Sequence, residues 1–292
     1  MSTRRFPRRL AGAVVAAGAL FALVTACGSD DPVPLRVSSD GTPAMRVAAQ
    51  IYGGALARTG VPIDVLDSAA GDRRLLDAAA QGDVDLFPAF TGDLLTSLTP
   101  NPEARSSEDV ENAVNRALPQ GVTIGDPAGV SDRRQLVVAQ ALVDAHQLTD
   151  LSQCAALPPG LPLVTTGVLT AEERQSFDVC RFGAIEDRRT PSEVADRVRD
   201  GRALGTLTGL EAATALTGRD DVTALRSQDA GPMAQDLVPV YRAGQIGKSQ
   251  MKALSRVAGE LTTADLAELA ARVEAGAAPG AVANEWISTH GV

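Results

Sequence analysis

Short apolar runs alternate with helical patterns along most of this chain, and the alternation constrains the fold more than any other feature. One helix signal opens at Thr42-Pro43, where threonine suits the N-cap and proline suits the first helical position. A second helical pattern covers residues 72–81. Strands that alternate with helices are typical of βαβ units, so we predict an α/β fold with mainly parallel sheets. The predicted strands are residues 35–38, 61–66, 122–124, 136–139, 161–165, 203–207 and 237–241.

A short internal echo supports two lobes. Residues 75–92 and 194–209 each read as a helix, a glycine, a short strand and a Thr-Gly loop. In open α/β sheets ligands bind beyond the carboxyl ends of strands, so two such loops that face each other would line a cleft. We predict that one lobe is built from residues 35–126 and 231–292, and the other from residues 127–230.

The amino terminus has the features of an export signal. Four arginines precede an apolar run over residues 10–24, which is shorter than the roughly 20 residues that a membrane-spanning helix needs. The Val24-Thr25-Ala26-Cys27 segment resembles a bacterial lipobox, which predicts a signal peptide over 1–26, lipidation of Cys27 and a flexible tether over 27–34. The alternative is a plain signal peptide that contains a cysteine. Lipidation would place an exported protein at the outer face of the cytoplasmic membrane, with acyl chains as its membrane contact.

The two cysteines that remain after Cys27 can form a disulfide. Exported proteins fold in an oxidising compartment, so Cys154 and Cys180 are candidates for a bridge. The alternative is a pair of separate buried thiols. Neither cysteine has a nearby Cys or His partner, and we expect no metal site.

Charge and motifs exclude several functions. The formal net charge is -9, and removal of four signal-peptide arginines makes the remainder more acidic, so nucleic acid is a poor partner. The chain contains no G-x-S-x-G, H-E-x-x-H or C-x-x-C motif, and neither His146 nor His290 has a catalytic neighbour in sequence. We therefore expect no enzyme activity, no catalytic residue and no cofactor.

The segment GDVDLFPAFTGD, at residues 82–93, identifies a family resemblance. Together with SSDGTPAMRVAAQIYGGALARTG and LLDAAAQ before it, the segment resembles the substrate-binding proteins of glycine betaine/choline (osmoprotectant) ABC importers, which read close to G-E-I-D-L-Y-P-E-Y-T-G-T. The resemblance continues through residues 121–152, 236–244 and 259–292. It implies a two-lobed, type II periplasmic-binding-protein fold with a hinged cleft. Its partners would be a small solute, an ABC permease and the ATPase of that permease.

The resemblance also implies a ligand site. Family members hold quaternary ammonium groups in aromatic boxes, where ring faces attract a cation. Phe87 and Phe90 take the positions of the two motif tyrosines, although packing in a core at the end of a strand would explain both rings equally well. Arg133 or Arg134 could instead pair with a carboxylate of the ligand. The implied ligand-binding residues are Asp40, Gly41, Thr42, Phe87, Phe90, Thr91, Gly92, Asp93, Arg133, Thr166 and Thr208.

A second hypothesis competes with the importer receptor. Aromatic residues make up only 3% of the chain, so a full aromatic cage is hard to assemble. An envelope scaffold or sensor that kept the fold and lost the ligand would explain this scarcity. A cleft that is open and lined by polar groups favours the receptor, whereas a cleft filled by side chains favours the scaffold.

Overall fold

A computed structural model describes residues 33–187, 189–227 and 231–292. The predicted signal peptide, Cys27 and all of the tether except residues 33 and 34 lie outside these ranges, so their predictions stay predictions. Within the described ranges, no helix combines the length and the apolar character that a membrane crossing requires.

Ten strands and eleven α-helices make up the described part of the chain. The strands are β1 (Leu35–Ser39), β2 (Ile63–Ala69), β3 (Leu86–Phe90), β4 (Val122–Ile124), β5 (Gln135–Ala139), β6 (Leu163–Thr165), β7 (Ile185–Glu186), β8 (Leu204–Leu207), β9 (Val222–Leu225) and β10 (Leu237–Arg242). The helices are α1 (Pro43–Ala57), α2 (Asp72–Gln81), α3 (Thr91–Leu98), α4 (Ser107–Ala117), α5 (Gln140–His146), α6 (Ala171–Phe177), α7 (Pro191–Val198), α8 (Gly209–Ala215), α9 (Lys248–Glu260), α10 (Thr263–Glu274) and α11 (Pro279–His290).

The strands form two five-stranded sheets, one in each lobe. The first sheet has the order β2-β1-β3-β10-β4 and the second has the order β7-β6-β8-β5-β9. Strands of the first sheet come from residues 35–124 and 237–242, and those of the second come from residues 135–225. The seven strands predicted by residue range are present, as is the short strand predicted before Thr91-Gly92, which is β3. These eight strands confirm the α/β class, whereas β7 and β9 were not predicted. The exact lobe boundaries stay a prediction.

Each sheet is mixed rather than purely parallel. In the first sheet β10 runs antiparallel to β3 and β4, and in the second sheet β5 runs antiparallel to β8 and β9. Both reversed strands begin directly after the chain has crossed from the other lobe. The crossing delivers the chain to the edge where the other strands end, so the next strand must run in the opposite direction.

The chain crosses between the lobes in residues 125–134 and in residues 231–236, and these two crossing segments lie side by side. Ser131 and Asp236 form an antiparallel bridge, the Asp132 N–H donates to the Gln235 carbonyl over 2.8 Å, and the Leu237 N–H donates to the Val130 carbonyl over 3.0 Å. This short pairing joins the lobes through two backbone strands. Such a connection is typical of a hinge between two domains.

Apolar side chains cover both faces of each sheet. In the first lobe one core contains Ile51, Leu254 and Trp286 under α1, α9, α10 and α11, and the other contains Phe87 and Val110 under α2, α3 and α4. In the second lobe Phe177 belongs to the core on one face and Val198 to the core on the other. Each lobe therefore holds its sheet between two helical layers, which fixes the strand ends in space.

Local signals in the sequence set several helix ends. Thr42 caps α1, with its Oγ1 accepting from the Met45 N–H, and Pro43 occupies the first turn as predicted. Gly82 ends α2 with φ of 87°, a left-handed conformation that glycine adopts without steric cost. Thr262 and Asp265 form the predicted capping box of α10.

Cys154 and Cys180 form the predicted disulfide in the second lobe. Both residues are fully buried and belong to the core that contains Phe177. The bridge joins two 3-10 helices, Leu151–Ala156 and Asp178–Cys180.

Candidate functional site

A cavity of about 600 Å³ lies between the two lobes. Its walls come from the loop between α3 and α4, from the crossing segments, and from the amino-terminal ends of α3, α6 and α8. The first lobe contributes Asp93, Thr96, Asn101, Pro102, Glu103, Arg105, Pro232, Met233 and Gln235, and the second contributes Asp132, Arg134, Thr170, Ala171, Glu172, Glu173 and Thr208. We call this cavity the interlobe cleft. It lies beyond the carboxyl ends of β3 and β8, where α/β sheets place ligands.

Asp93 projects into the cleft from the first turn of α3. The Gln235 side chain fixes it, because Nε2 donates to Asp93 Oδ1 over 2.8 Å and Oε1 accepts from the Asp93 N–H over 3.1 Å. Burial raises the pKa of the Asp93 carboxyl, the Gln235 hydrogen bond opposes this shift, and the charges of Asp40 and Glu173 add to it. The carboxylate is thus held in an environment that lacks sufficient positive charge.

Asp132 faces the same space from the other lobe. Its Oδ1 accepts from the Leu210 N–H at the start of α8 over 2.8 Å. Burial raises the pKa of the Asp132 carboxyl; hydrogen bonds from Thr208 and Leu210 lower it, and the charges of Glu211 and Asp93 raise it. Asp93 and Asp132 therefore act on each other electrostatically across the cleft.

The two arginines of the lining are already paired. Arg105 Nε lies 2.9 Å from Glu172 Oε1, an ion pair that spans the two lobes. Arg134 Nε lies 2.8 Å from Glu173 Oε1 within the second lobe. Among the residues that the structure describes, neither Asp93 nor Asp132 forms an ion pair. The positive charge of the cleft is consumed by glutamates, and the two aspartates stay uncompensated.

The two Thr-Gly segments of the internal echo begin helices rather than loops. Thr91 starts α3, and Thr208 is the N-cap of α8. A Cβ on Gly92 would lie 2.6 Å from the Ala234 carbonyl oxygen, and one on Gly209 would lie 1.9 Å from that of Ser131. Glycine is required at both positions because a crossing segment passes directly against each helix start.

Asp93 and Thr208 are the predicted ligand-binding residues that the structure places in the lining of the cleft. Thr91 is buried, and its Oγ1 accepts from the Asp236 N–H over 3.0 Å. Thr166 Oγ1 donates to Glu211 Oε2 over 2.9 Å, beside the lining. Arg133 donates to the Pro232 carbonyl and to the Ser227 carbonyl, so its guanidinium holds a crossing segment, and its predicted contact with a ligand stays a prediction.

The loop after β1 is ordered by its own side chains. Asp40 Oδ1 accepts from both the N–H and the Oγ1 of Thr42 over 2.8 Å, while Gly41 adopts φ of 88°. These three residues do not line the cleft, although the Asp40 charge reaches Asp93. Their predicted role as direct contacts stays a prediction.

Neither phenylalanine of the motif lines the cleft. Phe87 is 0% exposed and belongs to a core of the first lobe, which favours the core interpretation of this ring, and its predicted contact with a ligand stays a prediction. Phe87 and Phe90 are three residues apart on β3, so their side chains point to opposite faces of the sheet. The ring of Phe87 lies on the face that is covered by α2, α3 and α4. Phe90 is half-buried and packs against the opposite core. No Phe, Tyr or Trp of the described residues lines the cleft.

Sequence reasoning missed several cleft residues. The loop that carries Asn101, Glu103 and Arg105 has no motif and follows no strand, so no sequence signal marks it. Thr170 and Glu173 form a capping box, which the sequence contains as T-x-x-E. This pattern predicts that a helix starts there, but it does not predict that the helix start faces the cleft. Asp132 and Gln235 lie in the crossing segments, whose location depends on tertiary structure.

A neighbouring cavity of about 540 Å³ shares Asp93 and Thr96 with the interlobe cleft. Asp72, at the start of α2, lines it. Burial raises the pKa of Asp72 to about 7, and the charges of Asp93 and Asp40 contribute. Negative potential thus extends from the cleft along the first lobe.

Other features of the structure offer less to a ligand. A further cavity of about 520 Å³ lies on the first lobe alone, beside Arg46 and Asp67. Within the described ranges, no group of three or more His, Cys, Asp or Glu side chains could hold a metal ion. The interlobe cleft is therefore the candidate binding site.

Comparisons with known proteins point to one family. Residues 33–289 match the family described as the substrate-binding domain of the ABC-type glycine betaine transport system. The fold is similar to a crystal structure of a glycine betaine/carnitine/choline ABC transporter, with 13% identity, a TM-score of 0.72, and 88% of this chain and 98% of that chain covered. Apo YehZ from Escherichia coli gives 16% identity and a TM-score of 0.66, with 88% of this chain and 99% of that chain covered. Lactococcal OpuAC in its closed, glycine betaine-bound conformation gives 11% identity and a TM-score of 0.51, with 88% of this chain and 96% of that chain covered. No curated protein sequence matches the chain.

Proposed function

Because the chain belongs to the family of substrate-binding domains of ABC-type glycine betaine transport systems, we propose that it binds a small organic cation in the interlobe cleft and delivers it to a permease. The family consists of solute-binding proteins of importers, and this chain is such a protein. The class of solute, the cleft as its site, the absence of catalysis and the permease partner are the parts that we propose.

The charge of the cleft lining carries the proposal. Five carboxylates line the cleft, from Asp93, Glu103, Asp132, Glu172 and Glu173, against the two guanidiniums of Arg105 and Arg134. A concave site with excess negative charge raises the local concentration of cations and accelerates their capture. An anionic solute would meet repulsion at Asp93 and Asp132, whose pKa values are raised mainly by burial and further by the charges of nearby carboxylates.

The origin of the lining residues supports closure around the solute. Both lobes supply groups, so a ligand that contacts both favours the conformation in which the lobes are close. The Arg105–Glu172 ion pair already joins the lobes at the rim of the cleft. A receptor that closes in this way presents a different surface to its permease with and without solute, which is a basis for delivery.

The lipobox-like segment before Cys27 supports attachment of this receptor to the membrane through a lipid anchor. We propose that Cys27 is lipidated and that the two lobes lie at the outer face of the cytoplasmic membrane, near the permease and its ATPase. Family membership supports an extracytoplasmic location. The anchor rests on the sequence alone.

The scaffold or sensor hypothesis draws less support from the structure. A protein that had lost its ligand would be free to fill the cleft with apolar side chains, because burial of apolar surface stabilises a fold. The cleft instead holds about 600 Å³ of space with charged side chains from both lobes. Maintaining uncompensated carboxylates in such a space is costly unless a ligand uses them.

Calorimetry tests the proposed function. The full-length protein is titrated with choline, glycine betaine, ethanolamine, putrescine and agmatine, and with glutamate as an anionic comparison. We expect saturable binding of at least one cation, with a stabilisation of about 2.7 kcal/mol at one hundred times Kd. Absence of binding for every cation at millimolar concentration, or preferential binding of glutamate, would contradict the proposal. Glu274→Gln, an exposed carboxylate on α10, should leave binding unchanged.

A further inference from the structure

We infer that the interlobe cleft selects cations that carry N–H donors, namely primary or secondary ammonium and guanidinium groups, over fully methylated quaternary ammonium groups. This inference rests on the proposed function and narrows the class of its solute. It is based on the lining of the cleft, which contains carboxylates from both lobes and, among the described residues, no aromatic ring.

A quaternary ammonium group binds through ring faces because it has no hydrogen to donate. Its positive charge is spread over methyl groups, which stack on aromatic rings at about 0.5 to 2 kcal/mol for each ring. The lining of this cleft contains no aromatic ring among the described residues. Phe87 packs in one core of the first lobe and Phe90 packs against the other. The rings that a trimethylammonium group requires are therefore absent from its surroundings.

The carboxylates offer the opposite kind of recognition. Asp93 Oδ1 accepts from Gln235, and no described residue donates to its Oδ2. A carboxylate oxygen in a confined space gains most from a charged N–H donor, because charge-assisted hydrogen bonds are shorter and about twice as strong as neutral ones. A methylated nitrogen gives the same charge at a longer distance and leaves the oxygen without a hydrogen bond.

The positions of the two aspartates add a geometric requirement. Asp93 comes from the first lobe and Asp132 from the second, and the charge of Asp93 acts on Asp132. A cation with several N–H groups can donate to both carboxylates at once, which relieves their mutual repulsion and holds the lobes together. A trimethylammonium group relieves the repulsion but cannot bridge the two oxygens with hydrogen bonds.

The paired arginines do not offset this preference. Arg105 and Arg134 lie against Glu172 and Glu173, and their distances of 2.9 and 2.8 Å are those of formed ion pairs. These ion pairs balance the charge of both guanidiniums, whereas Asp93 and Asp132 have no ion-pair partner among the described residues. The cleft therefore offers its free interactions to the cationic end of a ligand.

A methylation series tests the inference. The full-length protein is titrated by calorimetry with ethanolamine, its N-methyl and N,N-dimethyl derivatives and choline, and in a second series with putrescine and its bis-trimethylammonium analogue. In each series that binds, we expect the affinity to fall at least tenfold from the N–H compound to the fully methylated one. Equal or tighter binding of the methylated member would overturn the inference and leave the proposed function standing. If no member of either series bound at millimolar concentration, both would fail.

Two variants assign the preference to the aspartates. Asp93→Asn and Asp132→Asn should each weaken binding of the N–H compound at least tenfold and change that of the methylated compound less, so that discrimination falls. Burial raises the pKa of both carboxyls, so a neutral amide of the same size should not prevent folding, which a thermal melt checks. Glu274→Gln is the matched control that removes a carboxylate elsewhere. Discrimination that survives in both aspartate variants would contradict the assignment.

Discussion

Phe87→Ala and Phe90→Ala test whether each ring stabilises the core or contacts the ligand, because a core ring affects stability and a ligand-contacting ring affects affinity. Phe87 is 0% exposed. A buried phenylalanine removes roughly 150 to 250 Å² from water, which at about 25 cal/mol/Å² gives about 4 to 6 kcal/mol as an upper limit. Core Phe→Ala replacements cost about 3 to 5 kcal/mol, and we expect this loss for Phe87→Ala. Phe90 is half-buried, so Phe90→Ala should cost about 2 kcal/mol, roughly half as much.

Urea unfolding measures these losses, and calorimetry with the tightest-binding cation measures affinity on the same preparations. Because neither ring lines the interlobe cleft, we expect each variant to change affinity less than about threefold wherever the protein stays folded. Phe87→Leu, which keeps most of the buried volume, provides a folded control should the alanine variant unfold. A Phe90→Ala protein with unchanged stability and tenfold weaker binding would refute the reasoning, since the ring would then belong to the solute site.

Three further outcomes follow from particular contacts. Cys154→Ser with Cys180→Ser opens a loop with a sequence separation of 26 and should lower the free energy of unfolding in urea by about 3.5 kcal/mol relative to the oxidised protein; reductant should remove the difference, and an equal loss with reductant present would contradict a bridge. Arg105→Gln and Glu172→Gln should each weaken cation binding a few-fold, because an ion pair of this exposure contributes about 0.2 to 1 kcal/mol. The double variant should lose less binding free energy than the sum of the two single losses. Additive losses in calorimetry would exclude coupling between the lobes through this pair. Burial raises the pKa of Asp72 to about 7, so the folded protein keeps a proton that the unfolded chain releases above about pH 4, and the free energy of unfolding should fall as pH rises from about 4 to about 7. Asp72→Asn should flatten this part of the pH profile in urea unfolding. An unchanged profile would count against the raised pKa.

Much of the fold was predictable because its signals are local. Apolar runs, the Pro43 helix start, the Thr262 capping box and the two cysteines each act over a few residues, and all appear as predicted. The two-lobed, type II periplasmic-binding-protein fold that the resemblance implied is confirmed. The reversed direction of β5 and β10 was not predicted, because strand direction depends on where the chain re-enters a sheet after crossing between lobes.

The site was less predictable than the fold, and Phe87 shows why. A motif gives the position of a residue along a strand, but the face of the sheet that becomes core depends on which helices pack there. Asp93 was found through its place after Thr91-Gly92, whereas its partner Gln235 lies 142 residues away and no spacing rule links the two. Residues such as Arg105 and Glu172 acquire a role only when the lobes face each other.

The crossing segments connect the chemistry of the cleft with its motion. Asp132 lies in one segment and Gln235 in the other, and the Asp132 N–H donates to the Gln235 carbonyl. The Gln235 side chain in turn holds Asp93, so the two aspartates are joined through the backbone pairing of the hinge. A cation that draws Asp93 and Asp132 together therefore acts on the two crossing segments that form the proposed hinge. This arrangement predicts that Gln235→Ala weakens cation binding and also loosens the hinge. Amide hydrogen exchange at Asp132 and Leu237, followed with and without the cation, would measure the second effect, and unchanged protection at both amides would show that site and hinge are independent.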